Sequence, residues 1–206
     1  MFRLASRMER LGTETAFVVL AKAKALEAQG RDIVHLEIGE PDFDTPTHII
    51  EAAATALYRG FTHYGPAAGL TEFRSVIAEQ AGKERGLTFS PDQVVVTPGA
   101  KPIMFYVITA LIGEGDECIY PNPGFPIYES MINFMGGKAV PIPLREENDF
   151  RLDVRELASL ITPRTRLIIV NSPQNPTGGV LTYSDLEQIA RLAVKHQIPV
   201  LTDEVY

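Results

Sequence analysis

Three short segments of the sequence combine residue types and spacings that could do chemistry. Thr97-Pro98-Gly99-Ala100-Lys101-Pro102 follows the apolar run Val94-Val95-Val96 and opens a helical stretch. Small residues there let the backbone approach a ligand closely, and the amides and positive dipole end of a helix start suit a phosphate. Lys101 would add charge. Taken alone, the segment reads equally as a tight strand-to-helix turn. Asn171-Ser172-Pro173-Gln174-Asn175-Pro176-Thr177-Gly178 follows Ile168-Ile169-Val170. Its prolines and glycine predict a rigid loop, and Asn175, placed before a proline, is biased away from helical backbone. Such a loop can hold one side-chain amide in a set direction. Asp203 and Glu204 close the run Val200-Leu201-Thr202 and lead into Val205-Tyr206. An acid at the end of a buried strand is costly unless paired. A cation is therefore expected beside Asp203, either an arginine of the protein or a protonated ligand nitrogen.

The elements that must position these segments alternate in type. Apolar periodicity and capping residues predict helices over 15–29, from Pro46 onward with Thr45 as N-cap, and over 69–85, 100–112, 126–135, 154–161 and 183–196, the last capped by Thr182. Extended runs fall at 33–38, 93–97, 117–120, 138–144, 166–170 and 199–202. Strands without polar alternation are buried on both faces, as in parallel sheets covered by helices, and alternating strands and helices give a layered α/β fold. Ligands of such sheets bind at the carboxyl ends of the strands, where all three segments fall. The helix over 183–196 joins the Asn175 loop to Asp203. A crossover of that length returns the chain to a parallel strand and could turn both residues toward one pocket.

Composition excludes several classes of function. No apolar run approaches the ~20 residues that span a bilayer. A net charge of −7 argues against nucleic-acid binding, which needs clustered Lys and Arg. The one cysteine, Cys118, makes no intrachain disulfide and reads as a buried strand residue; a reducing, cytoplasmic setting is expected. Arg3, Arg7 and Arg10 give a faint likeness to a transit peptide, but Glu9 interrupts it and no apolar signal core follows. His35, His48, His63 and His196 lack metal-ligand spacing, and no metal site is expected. A Gly-Lys-Ser/Thr phosphate loop, a convincing dinucleotide fingerprint and a Gly-x-Ser-x-Gly elbow are absent from the sequence.

From about Ile33 to Tyr206 the chain resembles the class I aminotransferases of pyridoxal-phosphate (PLP) fold type I. Gly39-Glu40-Pro41-Asp42-Phe43-Asp44-Thr45-Pro46 is similar to the family's N-terminal signature, and Tyr64 followed by Gly69 to its Tyr-x4-Gly segment. Ser172 to Gly178 and Asp203-Glu204-Val205-Tyr206 resemble its two cofactor motifs, in order and at family spacing. The resemblance implies a three-layer α/β/α large domain with a mostly parallel sheet, truncated here. Residues 1–45 would form an N-terminal arm and helix contributing to the small domain and a dimer contact, and 46–206 an incomplete large cofactor-binding domain. It implies pyridoxal 5'-phosphate as cofactor, an amino acid and a 2-oxo acid as substrates, and a homodimer with shared active sites. Asp203 would pair with the protonated ring nitrogen, and Asn175 and Tyr206 with the phenolic oxygen. Gly99, Ala100 and Lys101 would hold the phosphate, mainly through backbone N–H groups. Phe125 would stack on the ring, where many relatives have Trp or Tyr. Gly39, with Asn175, would lie beside the substrate carboxylate, and Tyr64 would reach the phosphate of a neighbouring subunit.

The same resemblance says what to expect beyond Tyr206. The family's Schiff-base lysine follows the Asp-Glu-x-Tyr motif, and none of Lys22, Lys24, Lys83, Lys101, Lys138 or Lys195 stands at a matching position. The arginine that clamps the substrate carboxylate and the small C-terminal domain are also expected there. The chain is thus expected to be the N-terminal half of a parent aminotransferase, with no catalytic residue of its own. A PLP-dependent carbon–sulfur lyase would share these cofactor residues. A non-catalytic PLP-binding module of the regulator type would carry an N-terminal DNA-binding domain, for which a signature beginning near Ile33 leaves no room. Without the lysine, the 206-residue chain alone should not transaminate, because it lacks both the covalent anchor and the base. Amino-group transfer by the purified chain, with copurifying enzyme excluded, would contradict this.

Overall fold

The computed structural model describes residues 2–12 and 15–206. The chain divides into two compact units, Ala16–Pro98 and a larger one made of Met1–Thr15 with Gly99–Tyr206.

The smaller unit is helical, built around α1 (Thr15–Glu27), α2 (Thr47–Tyr58) and α3 (Thr71–Arg85). The expected cap of α2 is not made by Thr45. Pro46 itself is the N-cap, with extended backbone (ψ 137°), and its carbonyl accepts from the Ile49 and Ile50 amides. The extended runs expected at 33–38 and 93–97 form no strand. In the second, loop contacts take the place of a ladder: Val94 N–H donates to Pro91 O, and Val96 N–H to Ala68 O. Arg74 of α3 fixes this segment from the side, donating to the carbonyls of Val94 (2.9 Å) and Pro91 (2.7 Å).

The larger unit holds the sheet. Its elements are α4 (Lys101–Leu111), β1 (Glu117–Asn122), α5 (Ile127–Phe134), β2 (Lys138–Pro143), α6 (Val154–Leu160), β3 (Thr165–Asn171), α7 (Tyr183–His196) and β4 (Val200–Asp203). The strands pair in the order β2-β1-β3-β4, every pair parallel. The apolar strand residues divide between two buried clusters by parity. Cys118, Tyr120, Leu167 and Ile169 join Met104 and Ile108 of α4 and Tyr128, Met131 and Ile132 of α5. Ile119, Ile168 and Val170 join Leu157 of α6 and Ile189 of α7. Helices therefore cover both faces, which explains why β1 and β3 carry no polar alternation. α7 starts in a capping box: Thr182 Oγ1 accepts from the Asp185 amide, and the Asp185 carboxylate accepts from the Thr182 amide. Ahead of the sheet, Arg7 lies 5.6 Å from the Phe134 ring centroid, Arg10 donates to Phe134 O, and Gly12 N–H donates to Ser130 Oγ. Two of the N-terminal arginines thus dock a 3-10 turn, Ser6–Arg10, onto α5.

At the amino edge of the sheet Glu117 is 1% exposed. Its carboxylate accepts from Thr162 Oγ1 (2.6 Å), Arg164 Nη2 (2.8 Å) and Lys138 Nζ (3.1 Å). The Thr162 bond first, then Arg164, hold its pKa down at about 2 against an ordinary 4.5. A carboxyl depressed in the fold contributes stability that is fully present above its unfolded value and lost as pH falls through its folded one. Glu117→Gln should therefore destabilise the protein at neutral pH by on the order of 3 kcal/mol. In urea unfolding, the difference from wild type should close between pH 4.5 and about 2. A difference that stays constant across that window would contradict this account.

Candidate functional site

At the carboxyl edge β3 and β4 end side by side, with Asn171 opposite Asp203 in the register. Asn171 is buried, and its side chain acts as a clamp. Its Nδ2 donates to the carbonyls of Pro173 and Asp203, both at 3.0 Å, and its Oδ1 accepts from the Asn175 amide at 2.8 Å. The loop after β3 is thereby tied both to itself and to the end of β4. Gln174 adds a second tie, donating to Pro123 O at 2.8 Å and accepting from the amide and hydroxyl of Thr177. The rigid loop read from two prolines and a glycine thus rests on two buried side-chain amides. It presents Asn175, whose Nδ2 donates to the Tyr206 hydroxyl at 3.0 Å.

Asp203 is 8% exposed. Its Oδ2 accepts from the Tyr128 hydroxyl, and its Oδ1 from the Val205 amide at 3.3 Å. Among the described residues no lysine or arginine pairs with it. Tyr128 is fully buried. Its ring meets that of Phe125 edge-on, at 5.8 Å between centroids and 82° between planes. Phe125 sits in the short turn from β1 to α5. The chain can make that turn because residue 124 is glycine: a Cβ there would stand 2.2 Å from Pro121 O.

The segment Gly99-Ala100-Lys101 belongs to the same unit and opens α4. Gly99 has φ +85°, a left-handed conformation that suits glycine, and a Cβ there would meet open space. The amides of Ala100 and Lys101 precede the first intrahelical bond, from Ile103 N–H to Ala100 O. α4 lies on the sheet and passes through a short loop into β1, so it runs back along the strands and its start faces their carboxyl edge. Met104, one turn in, shares the apolar cluster of Tyr128.

Of the residues singled out by sequence, the structure thus brings together Asn175 and Tyr206 directly, and Asp203 and Phe125 through Tyr128. Gly99, Ala100 and Lys101 stand at a helix start on the same edge. Gly39 and Tyr64 belong to the other unit, and both are exposed within it. Tyr128, Asn171 and Gln174 were not legible as site residues. The one signal for Tyr128 was a tyrosine in an otherwise apolar helix, whose hydroxyl must find a partner when buried.

The chemistry of this donor set is specific. A buried carboxylate with neutral donors on both oxygens suits a cationic nitrogen. The Asn175 amide and Tyr206 hydroxyl suit an anionic oxygen, and a glycine-led helix start suits a phosphate. The residues present therefore fit the cofactor implied by the sequence resemblance. Among the described residues no group of three or more His, Cys, Asp or Glu could hold a metal ion. No helix among them is long and apolar enough to cross a membrane.

A family model described as "Aminotransferase class I and II" matches residues 31–206. A probable aspartate/prephenate aminotransferase of Aquifex aeolicus is 41% identical over 203 residues, covering 98% of this chain and 52% of its own length. The aspartate/prephenate aminotransferase of Thermus thermophilus is 42% identical, covering 98% and 53%. A solved aspartate aminotransferase from Thermus thermophilus with maleate superposes with a TM-score of 0.96 at 42% identity, covering all of this chain and 54% of its own. The chain spans about half the length of the curated relatives it matches.

The clamp makes a direct prediction. Asn171→Ala removes three hydrogen bonds and should cost about 2–4 kcal/mol in chemical denaturation. It should also speed hydrogen exchange at the Asn175 amide, whose acceptor it deletes. Unchanged protection of that amide would show that the loop does not depend on Asn171.

Proposed function

This chain belongs to the class I and II aminotransferase family, and from that premise we propose that the complete protein transfers an amino group between an amino acid and a 2-oxo acid with pyridoxal 5'-phosphate as cofactor. The observation that carries the proposal is the buried Asp203 carboxylate, held by neutral donors beside the Asn175–Tyr206 pair. Its environment calls for a cation, and a protonated ring nitrogen is one.

In this reading each residue of the chain has a limited task. Asp203 holds a proton on the ring nitrogen. Asn175 and Tyr206 hydrogen-bond the phenolic oxygen, and Asn175 also borders the substrate. Gly99, Ala100 and Lys101 receive the phosphate. Phe125 covers one face of the ring and excludes water from it. Gly39 lies beside the substrate carboxylate, and Tyr64 reaches the phosphate held by a second copy of the chain, which makes a homodimer part of the site. Residues 1–45 form an N-terminal arm and helix contributing to the small domain and the dimer contact, and 46–206 an incomplete large cofactor-binding domain. The cofactor, when bound, supplies an electron sink for the charge left once the substrate's α-proton departs. The lysine that anchors it is assigned to no residue of this chain.

Two relatives are named for aspartate and prephenate, and the Thermus structure was solved with maleate, a dicarboxylate. A dicarboxylic amino acid is accordingly the donor proposed for this protein. The complete protein should convert aspartate and 2-oxoglutarate in the presence of PLP. Asp203→Asn should lower kcat/KM about 10²–10³-fold, the cost of breaking a buried charge pair. An Asp203→Asn variant as active as wild type would remove the basis of the assignment.

A further inference from the structure

We propose that Tyr128 is a positioning residue that holds the Asp203 carboxylate by its Oδ2, and so biases the proton shared between Asp203 and the cofactor's ring nitrogen toward the nitrogen. The inference rests on the cofactor assignment above. It concerns a residue that touches neither substrate nor cofactor in that reading and acts through Asp203.

Three observations carry it. The Tyr128 hydroxyl donates to Asp203 Oδ2, while the other carboxylate oxygen has only the longer bond from the Val205 amide, at 3.3 Å. Asn171, the other polar side chain reaching this strand end, bonds the Asp203 carbonyl and leaves the carboxylate alone. Tyr128 therefore supplies the one side-chain donor to that carboxylate among the described residues. The second observation is that its ring cannot turn away. It is fully buried, packed with Met104, Ile108, Tyr120, Leu167 and Ile169 and set edge-on against Phe125. Third, the hydroxyl stays a donor at any ordinary pH. Burial first, then the bond to Asp203, raise its pKa far above the usual tyrosine value, with the nearby Tyr206 adding in the same direction.

The consequence follows from charge. A proton between a carboxylate and a pyridine nitrogen in a dry site can settle on either. A hydrogen bond donated to the charged form of an acid favours that form. Tyr128 thus stabilises carboxylate and ring cation together against the neutral pair, in which the proton sits on Asp203. Tyr128→Phe deletes one oxygen and leaves the packing, so the balance should move toward the neutral pair.

The test uses the complete protein loaded with PLP labelled with ¹⁵N in the ring, observed by NMR at neutral pH. Wild type should give a ring-nitrogen shift near the protonated limit. Tyr128→Phe, melting like wild type, should move it toward the neutral-pyridine limit. An unchanged shift in a folded, loaded Tyr128→Phe variant overturns the proposal. Should that variant fail to fold or load, 4-aminophenylalanine at position 128 decides. It keeps the shape and donates more weakly, so the shift must move toward the neutral-pyridine limit, and an unmoved shift overturns the proposal. A wild-type protein that takes up no PLP would instead refute the cofactor assignment itself.

Discussion

A carboxylate buried at the end of an apolar parallel strand constrains everything around it. Asp203 is 8% exposed and follows Val200, Leu201 and Thr202 in β4. Burying such a charge without compensation is unfavourable by several kcal/mol. The fold answers with the Tyr128 hydroxyl and the Val205 amide, both neutral. The same sheet contains a second buried acid, and the contrast is informative. Glu117, at the amino edge, is met by Arg164, Lys138 and the Thr162 hydroxyl. There the protein carries its own cations. At the carboxyl edge the donors to Asp203 among the described residues are neutral, which fits the cationic ligand proposed for it.

The rest of the larger unit keeps that edge in place. Alternate residues of β1 and β3 enter opposite clusters, so the strands are held from both faces and have little freedom to slide. Asn171 and Gln174 then fasten the loop after β3 to β4 and to the turn after β1. α5 contributes in two ways. Its first turn holds Tyr128, and further along Ser130 and Phe134 receive the N-terminal segment.

Much of this was legible in the sequence, for identifiable reasons. β1 and β3 lack polar alternation because both faces are covered, and that pattern is visible in a single segment. Thr182 was legible as a cap because capping is local, and Asn175 and Asp203 because loops at strand ends are marked by prolines and by an abrupt acid. The run at 93–97 misled because it has strand composition, whereas a strand also needs a neighbour; its amides found Pro91 and Ala68 instead. Thr45 misled because the extended backbone of Pro46 moved the cap by one residue. Tyr128 stayed hidden because its partner lies 75 residues away. No local pattern encodes a bond made only when α5 is packed on the sheet and Tyr128 reaches the end of β4. The roles of Asn171 and Gln174 are hidden for the same reason, their side chains reaching 32 and 51 residues along the chain.

The central claim is that the carboxyl edge of this sheet is built to place a cationic ring nitrogen against Asp203. A crystal structure of the complete protein grown with pyridoxal 5'-phosphate tests it most directly. The account predicts the ring nitrogen within hydrogen-bonding distance of the Asp203 carboxylate, with Tyr128 still donating to Oδ2 and the phosphate at the start of α4. A cofactor bound elsewhere, or Asp203 paired with an arginine or lysine of the protein, would contradict it.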